Sequence, residues 1–481
     1  MKDRQKKLRL ADISVNKFSR EGYGIGSFQS PDGKEVVVEV PFAVPGDQVN
    51  VSLQKKRKGL CRGKLLELRT PSPDRIEPVC THFGVCGGCR WQQISYEQQL
   101  HQKTQWILGH LQPYLSATTI VHPIIPCDPP WHYRNKVELT FSSDKAMHRY
   151  LGFIMQDSRG KVFNLEECHL VNGWMNLAVH AVQEWWSSSG LDAYHAMRNS
   201  GSLRTLTLRE GQRTGDRMVI LTVSGNADYA LKQGQLTRFV ECLREAIEPR
   251  DGKGRLAIFL CIQQIAKGQR TNFYEMHLYG PDHICEIIYL PSIEQTKKAY
   301  TFHISPKAFF QPNTRQAERL YARVMEMVQM PPDALVYDLY CGTGTLGICL
   351  AGHAKEVIGI ELSPESVLDA QENININGLN NVEVRQGDAA KVLAALWEEE
   401  RKRADIVVVD PPRAGLDSKA LQHLLVMNAP QIAYVSCNPA TQAKDLEPLV
   451  QAGYQLQAVQ PVDQFPQTVH VENIVILTKF T

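Results

Sequence analysis

The sequence predicts a multidomain α/β protein with an N-terminal OB-like β-barrel, a central α+β region and a C-terminal Rossmann-like domain. The chain has 481 residues, more than one hydrophobic core usually organises. Short apolar runs alternate with turn signals up to about residue 70, and strand-like and helix-like segments alternate from about residue 301. The predicted domains therefore cover residues 1–70, 71–300 and 301–481.

The first 70 residues have the turn spacing of a small β-barrel. Turn signals occur at Gly22-Tyr23-Gly24, at Pro31-Asp32-Gly33 and at Pro45-Gly46-Asp47, and short strands between such turns are typical of barrels. From Lys55 to Arg69, seven basic residues stand against one acid, Glu67. Such a run can bind phosphates, although a solvated charged face would have the same composition.

The central region is predicted to be α+β and to follow a proline-rich linker. Pro71-Ser72-Pro73-Asp74 disfavours helix and central strand because its two prolines stand so close together. A polar helix is expected from Tyr96 to His110. The strand candidates after it are Lys136 to Phe141, Leu203 to Leu208, Met218 to Val223 and Ile258 to Ile262.

The C-terminal region is predicted to form a parallel sheet covered by helices, because strand and helix signals alternate there. The strand candidates are Leu335 to Leu339, Glu356 to Glu361, Val382 to Arg385, Asp405 to Val409 and Ile432 to Ser436. Ligands bind at the carboxyl ends of the strands in such sheets. Polar side chains at these strand ends are therefore the first candidates for a functional site.

Composition excludes several classes of protein. Hydrophobic residues make up 43% and charged residues 22%, which is ordinary for a globular protein and unlike a disordered chain. The start of the sequence has no apolar signal segment, and no stretch is apolar enough to span a membrane. We therefore expect a cytoplasmic protein without membrane partners, in which the twelve cysteines are ligands, nucleophiles or core residues before disulfides.

A glycine-containing loop follows the first strand of the C-terminal region. The segment Asp338 to Thr345 lets the backbone approach a ligand, although a purely structural turn would look the same. The second strand ends at Glu361, and Ser363 and Pro364 are placed as N-cap and first helical residue. An acid at this distance past the loop can accept hydrogen bonds from ribose hydroxyls, which favours a nucleoside ligand.

Two further acids end strands of the same sheet. Asp388 could hold an adenine amino group, although an exposed strand-end aspartate is the plainer interpretation, and Asp410 opens Asp410-Pro411-Pro412-Arg413. Together with Tyr340 and Glu361 they converge by topology alone. A dinucleotide-dependent enzyme is disfavoured, because the loop lacks the third glycine of the pyrophosphate fingerprint.

Cys437 ends the fifth strand candidate. A strand cysteine more often fills a core, but this one stands in the row of ligand candidates. A helix expected to start near Thr441 would favour its thiolate. A thiolate that adds to carbon 6 of uracil makes carbon 5 nucleophilic towards a methyl donor, and a base must then remove the carbon 5 proton. Glu472 is the candidate base, although a solvated surface glutamate would have the same sequence context.

Three segments resemble the RNA uracil-5 methyltransferase family at matching spacing: Asp410 to Gly415, Ser436 to Thr441 and Asp463 to Glu472. The resemblance spans nearly the whole chain. It implies a class I methyltransferase domain that uses S-adenosyl-L-methionine to methylate carbon 5 of a uridine in RNA. Cys437 would be the nucleophile and Glu472 the proton acceptor.

The same resemblance implies a set of cofactor-binding residues. They are Gln311, Tyr340, Thr345, Glu361, Asp388 and Asp410. This chain departs from the family pattern at Gln464, where members often have Met, and at Gln467, where they often have His. Both departures lie close to Glu472 in the sequence and so concern its local environment.

Three cysteines around a glycine turn, Cys80, Cys86 and Cys89, indicate a metal site, with Cys168 as a fourth ligand. Zinc and a 4Fe-4S cluster both take four cysteines, so chemistry alone leaves the two open. The resemblance is to the 23S rRNA branch of the family, and it implies a 4Fe-4S cluster with a structural or RNA-handling role. The cysteine spacing disfavours a radical enzyme that cleaves S-adenosyl-L-methionine.

RNA is the implied partner. The N-terminal barrel resembles the TRAM module of the family, its basic hairpin from Lys55 to Lys64 would follow phosphates, and Tyr133-Arg134-Asn135-Lys136 matches a further family segment. The uridine must leave its stack to meet Cys437, which is cheapest in a loop. A loop of 23S rRNA is therefore favoured, with tRNA as the alternative; no motif predicts an oligomer, and a monomer is expected.

Two other functions compete with this interpretation. An amino-group methyltransferase also uses a motif like Asp410-Pro411-Pro412, but that motif usually ends in an aromatic residue where this chain has Arg413. It also has no use for a strand-end cysteine. An RNA-binding assembly factor on an inactive methyltransferase scaffold is the second alternative, and the intact Cys437 and Glu472 disfavour it.

Overall fold

A computed structural model describes residues 10–30, 32–54, 60–250, 252–265, 271–291 and 297–479. The chain divides into two compact units. Unit 1 comprises Met1–Lys103, Ile154–Gly160 and Phe465–His470, and unit 2 comprises Thr104–Phe153, Lys161–Gln464 and Val471–Thr481. The domain boundaries expected after residues 70 and 300 stay predictions. None of the helices in the described ranges is long and apolar enough to cross a membrane.

Unit 1 contains the predicted N-terminal barrel. Five strands close on themselves in the order β1, β2, β3, β5, β4, and apolar side chains such as Ile13, Val38 and Val51 fill the interior. The strands are β1 (Leu10–Phe18), β2 (Gly24–Gln29), β3 (Glu35–Val40), β4 (Gln48–Leu53) and β5 (Cys61–Thr70). Alternate residues of β1 are buried, as the pleat of a strand requires when one face lines a core.

Glycines of the Gly22 to Gly26 segment are needed for packing inside the barrel. A Cβ added at Gly24 would lie 2.8 Å from the carbonyl oxygen of Ala43, and one added at Gly26 would lie 2.2 Å from that of Ser14. Any side chain at these positions would push strands apart. The segment that resembles the family's RNA-binding module therefore has a structural reason for its glycines.

The basic run of unit 1 is partly engaged within the protein. Arg62 forms an ion pair with Asp157 at 3.0 Å, and Arg69 forms one with Asp12 at 3.2 Å. Lys64 is exposed on β5. The remaining basic residues, Lys55 to Lys58, lie outside the described residues, so the expectation that this hairpin follows phosphates stays a prediction.

Unit 2 contains a six-stranded sheet in the order β12, β11, β10, β9, β7, β8. Helices α2 and α3 cover one face of it with a core that includes Trp186 and Phe239. The four strands expected in this region are present. Helix α1 (Tyr96–Leu111) begins in unit 1 and continues into unit 2 at Thr104. The elements after it are β6 (Ile120–Val121), β7 (Lys136–Ser143), β8 (Arg149–Gly152), α2 (Gly173–Ser189), β9 (Leu203–Glu210), β10 (Arg217–Ser224), α3 (Gln233–Ile247), β11 (Leu256–Gln264) and β12 (Asn272–Tyr279).

A hairpin and an eight-stranded sheet follow in unit 2. The sheet order is β17, β16, β15, β18, β19, β21, β20, β6, and β21 runs antiparallel to both of its neighbours. The elements are β13 (Ile284–Pro291), β14 (Lys297–Ile304), α4 (Thr314–Met327), β15 (Leu335–Leu339), α5 (Thr345–Leu350), β16 (Glu356–Glu361), α6 (Pro364–Ile376), β17 (Val382–Gln386), α7 (Ala389–Glu398), β18 (Ile406–Val409), α8 (Ser418–Met427), β19 (Gln431–Ser436), α9 (Pro439–Gln451), β20 (Gln455–Val462) and β21 (Glu472–Thr478). The carboxyl ends of the parallel strands β15 to β19 share one edge, as predicted.

Candidate active site

Glu361 ends β16 with both carboxylate oxygens bonded to backbone. Gly342 donates its N–H to Oε2 at 3.0 Å, and Ser363 donates its N–H to Oε1 at 2.8 Å. Ser363 is the N-cap of α6, and Pro364 is its first residue, so both predictions are confirmed. The carboxylate is thus held at the strand end beside the glycine loop, where it can accept hydrogen bonds from hydroxyl groups.

The glycine loop between β15 and α5 has the backbone conformation that glycine allows. Gly342 and Gly344 have φ values of 55° and 77°. A Cβ added at Gly342 would meet no atom within 4 Å, so this part of the loop faces open space. Thr345 begins α5 with its hydroxyl 3.1 Å from that of Thr343. A ligand can approach the backbone here without a side chain in its way.

A buried carboxyl lies beneath this loop. Asp338, the penultimate residue of β15, accepts a hydrogen bond from the Gly347 N–H of α5 at 2.8 Å. Burial raises the pKa of Asp338 to about 7, because low dielectric disfavours the charged form. The Asp338 side chain therefore connects β15 to α5 and fixes the two ends of the loop between them.

Tyr340 and Asp388 are two further residues of the predicted cofactor-binding set. The Tyr340 hydroxyl donates to Asp417 Oδ2 at 3.2 Å, and burial raises its pKa. Asp388 is exposed and is the N-cap of α7, where its Oδ1 accepts from the Lys391 N–H at 3.3 Å. Capping explains an aspartate at this position, so the role of Asp388 in cofactor binding stays a prediction.

Gln311 is positioned by residues far from it in the sequence. Asn135 donates its side-chain N–H to the Gln311 carbonyl oxygen and to Thr314 Oγ1, both at 2.9 Å. Asn135 is buried. Asn135 belongs to the Tyr133 to Lys136 segment, which matches a family segment. Its side chain holds the loop that carries Gln311.

The two departures from the family pattern lie in different units. Gln464, in unit 2, is fully buried and donates Nε2 to Gln311 Oε1 at 3.4 Å. Its Oε1 has no hydrogen-bond partner among the described residues. Gln467, in unit 1, exchanges hydrogen bonds with Gln99 at 2.8 and 3.0 Å. Gln464 therefore contacts Gln311. Its position in the sequence, close to Glu472, did not indicate this contact.

Cys437 and Glu472 are brought together by the register of β19 and β21. Ser436 pairs with Asn473 at the end of this antiparallel ladder, so the next positions on the two chains are Cys437 and Glu472. Glu472 is close enough to raise the pKa of Cys437. A thiol and a carboxyl are therefore near neighbours at this edge of the sheet.

Helix α9 fixes this end of the ladder. It begins at Pro439, two residues before the start expected near Thr441, because the proline takes the first helical position. Gln442 of α9 accepts from the Asn473 side chain at 2.8 Å and donates to the Tyr434 carbonyl oxygen at 3.0 Å. One buried amide pair thus joins α9 to both strands that carry the candidate pair.

Burial controls the protonation of this pair. The pKa of Cys437 is raised to about 11, chiefly by burial and also by Glu472 and Asp410, while Arg413 opposes the shift. Burial also raises the pKa of Glu472, as does Asp410, again opposed by Arg413. The pKa of Asp410 is raised by burial. Burial therefore shifts the thiol and the two carboxyls towards their protonated forms.

Arg413 is the residue of this site that the sequence interpretation missed. Its side chain hydrogen-bonds Cys437, and its carbonyl oxygen accepts from Asn438 Nδ2 at 3.0 Å and Thr441 Oγ1 at 3.2 Å. The available signal in the sequence was an arginine directly after the strand-end motif Asp410-Pro411-Pro412. A guanidinium beside a thiol favours the thiolate and so opposes the effect of burial.

The predicted metal ligands are divided between the units. Cys80, Cys86 and Cys89 lie in one loop of unit 1, where the Gly88 N–H donates to Cys86 Sγ at 3.3 Å. Cys168 belongs to unit 2, and its backbone N–H donates to Asn176 Oδ1 of α2 at 3.0 Å. An N–H bond to a cysteine sulfur is common among thiolate ligands; the four-cysteine set stays a prediction.

Comparison with known proteins connects this site to a family. Residues 286–480 match the model of the tRNA (Uracil-5-)-methyltransferase family. An uncharacterized RNA methyltransferase of Protochlamydia amoebophila is 58% identical over 92% of this chain and 100% of its own length. Another, of Halalkalibacterium halodurans, is 32% identical over 97% of this chain and 96% of its own length.

A solved structure has the same fold. The tRNA (uracil-54, C5)-methyltransferase of Pyrococcus abyssi, in complex with S-adenosyl-L-homocysteine, is 24% identical to this chain, with a TM-score of 0.73. The match covers 97% of this chain and 99% of that one. The likeness therefore extends across both units, barrel and eight-stranded sheet included.

Proposed function

The chain belongs to the RNA uracil-5 methyltransferase family, and on this premise we propose that it methylates carbon 5 of a uridine in RNA by covalent catalysis. One observation carries the proposal: Cys437 directly follows Ser436, the last paired residue of β19, and Glu472 directly precedes its partner Asn473 on β21. Asp410 and Arg413 are close enough to shift the pKa values of both. An amino-group methyltransferase would need no such thiol and carboxyl pair.

In the proposed mechanism Cys437 and Glu472 act in turn. Cys437 adds to carbon 6 of the uracil as the thiolate, which the Arg413 guanidinium favours, after the thiol proton has passed to solvent, and carbon 5 becomes nucleophilic. S-adenosyl-L-methionine supplies the electrophilic methyl group when it is bound. The Glu472 carboxylate then accepts the proton from carbon 5, and the bond between sulfur and carbon 6 breaks to release 5-methyluridine and the thiolate.

The residues at the β15 and β16 ends fit a nucleoside cofactor. Glu361 presents a carboxylate to ribose hydroxyls, and the open side of Gly342 leaves room for a ligand against the backbone. Gln311, Tyr340, Thr345, Asp388 and Asp410 complete the set that the family resemblance implies. The absence of a basic side chain from this set suits a cofactor that carries no phosphate.

We favour a folded loop of 23S rRNA as substrate, because the barrel and the cysteine loop accompany that branch of the family. tRNA is the second candidate, since the Pyrococcus abyssi enzyme with the same fold acts on uracil 54 of tRNA. Mapping 5-methyluridine in both RNAs from a strain lacking this gene decides between them. Loss of one site in 23S rRNA supports the proposal, and loss of a tRNA site supports the alternative.

Cys80, Cys86, Cys89 and Cys168 are the proposed ligands of a 4Fe-4S cluster, for which four cysteines are the required donor set. The cluster would serve structure or RNA handling, because methyl transfer requires no electron. Anaerobically purified protein should contain four irons per chain and absorb visible light. Stoichiometric zinc without iron would instead show a zinc site.

The activity itself is tested with labelled S-adenosyl-L-methionine and RNA from the deletion strain. Wild type should transfer label to uridine, and Cys437→Ala should transfer none. Cys242→Ala is the matched control, since Cys242 lies on α3, where its Sγ bonds the Phe239 carbonyl oxygen, and should keep full activity. Label in an exocyclic amino group, or full activity of Cys437→Ala, would contradict the proposal.

A further inference from the structure

A second set of metal-ligating side chains lies outside the active site, on the β13–β14 hairpin. His283, Cys285 and His303 each offer one ligand atom, and these atoms all lie within 4.8 Å of one another. Cys285 and His303 are direct cross-strand partners, and His283 is two positions before Cys285, on the same face of the chain. The pleat of one hairpin therefore gathers the three side chains.

The spacing is close to that of a zinc site. Zinc binds cysteine sulfur at about 2.3 Å and histidine nitrogen at about 2.0–2.1 Å in tetrahedral geometry, which puts neighbouring ligand atoms about 3.4–3.6 Å apart. The present separations therefore have to close by at most about 1.4 Å. Side-chain rotation alone can supply this, because the backbone positions are already paired.

Each imidazole has a carboxylate on its Nδ1 atom. His303 Nδ1 lies 2.7 Å from Glu372 Oε1 of α6, and His283 Nδ1 lies 2.7 Å from Asp282 Oδ1. Metal-binding histidines usually donate their second ring N–H to such a carboxylate, which leaves the other nitrogen free for the metal. Two histidines of one cluster carry this arrangement.

The two imidazole rings lie against each other. The His283 and His303 rings are stacked, with centroids 3.8 Å apart and planes 18° from parallel. A metal ion binds an imidazole nitrogen in the plane of the ring, so one ring has to turn out of this stack for both nitrogens to reach one ion.

The cysteine is held in place as a ligand would be. The Cys285 N–H donates to Asp216 Oδ2 at 2.8 Å, and its carbonyl oxygen accepts from Thr214 Oγ1 at 2.6 Å. Arg255 Nη2 donates to Cys285 Sγ at 3.2 Å. These contacts fix the position of the Cys285 backbone and side chain.

We propose that His283, Cys285 and His303 form a zinc site, with water as the fourth ligand and Asp282 and Glu372 orienting the imidazoles. Binding releases the Cys285 proton and joins β13, β14 and, through Glu372, α6. Three protein ligands of mixed nitrogen and sulfur type suit Zn²⁺ and exclude Mg²⁺, which prefers oxygen. The site does not depend on the proposed methyl transfer.

Protection of Cys285 from alkylation tests the proposal on the full-length wild-type chain. Chelator-treated protein is reacted with iodoacetamide, with and without added Zn²⁺, and each cysteine peptide is quantified by mass spectrometry. Zn²⁺ should slow alkylation of Cys285 by about tenfold or more, whereas Mg²⁺ should have no effect. Cys242 serves as the internal control. Because the measurement is resolved by residue, zinc on the other cysteines does not affect it.

A pair of variants on α6 tests the role of the carboxylate. Glu372→Gln should weaken Zn²⁺ protection of Cys285 by about 10–100-fold in concentration, as expected for loss of an orienting carboxylate. Glu365→Gln, on the same helix, should leave it unchanged. Equal alkylation of Cys285 with and without Zn²⁺ in the wild-type protein would overturn the proposed zinc site. Methyltransferase activity is measured in a separate assay, so failure of one proposal does not imply failure of the other.

Discussion

At the carboxyl edge of the eight-stranded sheet, the ends of β18, β19 and β21 (the dry side) differ from the ends of β16 and β17. On the dry side, burial raises the pKa values of Glu472, Asp410 and Cys437. Glu361 and Asp388, after β16 and β17, instead accept hydrogen bonds from nearby backbone N–H groups. One edge therefore offers two environments.

This difference matches two kinds of work. A general base works best when its pKa lies near the working pH, and burial moves the pKa of Glu472 upwards from its ordinary value towards it. Recognition of a nucleoside needs hydrogen-bond acceptors held in a fixed orientation, which the backbone donors supply. We therefore expect substitutions on the dry side to change turnover, and those on the other side to change the Michaelis constant for S-adenosyl-L-methionine.

The largest effect is expected for Cys437→Ala. Removal of a covalent nucleophile leaves only binding and positioning, so kcat should fall by about 10⁴-fold or more. The Michaelis constant for S-adenosyl-L-methionine should change little, because Cys437 acts on the uracil. Steady-state methylation assays measure both values. A fall in kcat of less than tenfold would show that the dry side lacks its proposed nucleophile.

Glu472→Gln should lower kcat by about 10²–10⁴-fold, the usual contribution of a general base. The substitution keeps the size of the side chain but cannot accept the carbon 5 proton. Single-turnover assays with saturating RNA measure the step directly. Glu472→Asp is the matched variant and should recover part of the rate, since it retains a carboxylate; full activity of the Gln variant would assign the base elsewhere.

On the other side, Glu361→Gln should raise the Michaelis constant for S-adenosyl-L-methionine by about 10–100-fold, because one charged hydrogen-bonding partner is lost. The turnover number should change far less. Isothermal titration with S-adenosyl-L-homocysteine provides an independent measure of the same loss. If kcat fell instead and the affinity for S-adenosyl-L-homocysteine stayed constant, the assignment of Glu361 to cofactor binding would be wrong.

The dry side should also weaken the fold as pH rises. A carboxyl with a raised folded-state pKa keeps a proton that the unfolded chain loses above its ordinary value, 4.5 for Glu472. The free energy of unfolding therefore falls as pH rises from the ordinary pKa of Glu472 to its raised pKa in the folded protein. Glu472→Gln cannot titrate, so it should match wild type near about pH 4 and be more stable by about 1–3 kcal/mol at about pH 8. Urea unfolding at both pH values measures this difference, and an equal stability gap at both would contradict it.

The smallest effect is expected at Asp388. Serine also caps helices well but is too short to reach a ligand, so Asp388→Ser should keep the melting temperature and raise the Michaelis constant a few-fold. Asp388→Ala should lose about 1 kcal/mol of stability as well. Thermal melts and kinetics of the two variants separate the roles. An unchanged Michaelis constant in Asp388→Ser would leave Asp388 as a helix cap alone.

Much of this edge can be predicted from the sequence, because local signals define it. The strand candidates Leu335 to Leu339 and Glu356 to Glu361 agree with β15 and β16 residue for residue. Parallel strands then bring their carboxyl ends together by topology. The cap at Ser363 also follows from local chemistry.

Long-range pairing could not be predicted in the same way. The contact between Asn135 and Gln311 joins residues 176 positions apart, and no local pattern encodes it. The insertion of β21 between β19 and β20 brings Glu472 to the end of β19, where Cys437 follows, whereas the sequence alone is equally compatible with a surface glutamate. Burial raises their pKa values only after this packing is complete.

The covalent intermediate tests the central claim most directly. Glu472→Gln is incubated with substrate RNA and S-adenosyl-L-methionine, and the products are separated under denaturing conditions and digested for mass spectrometry. The proposed pair predicts a protein–RNA adduct in which a methylated uridine is attached to Cys437, absent from the Cys437→Ala, Glu472→Gln double variant. No adduct in the single variant, or an adduct on another cysteine, would contradict it.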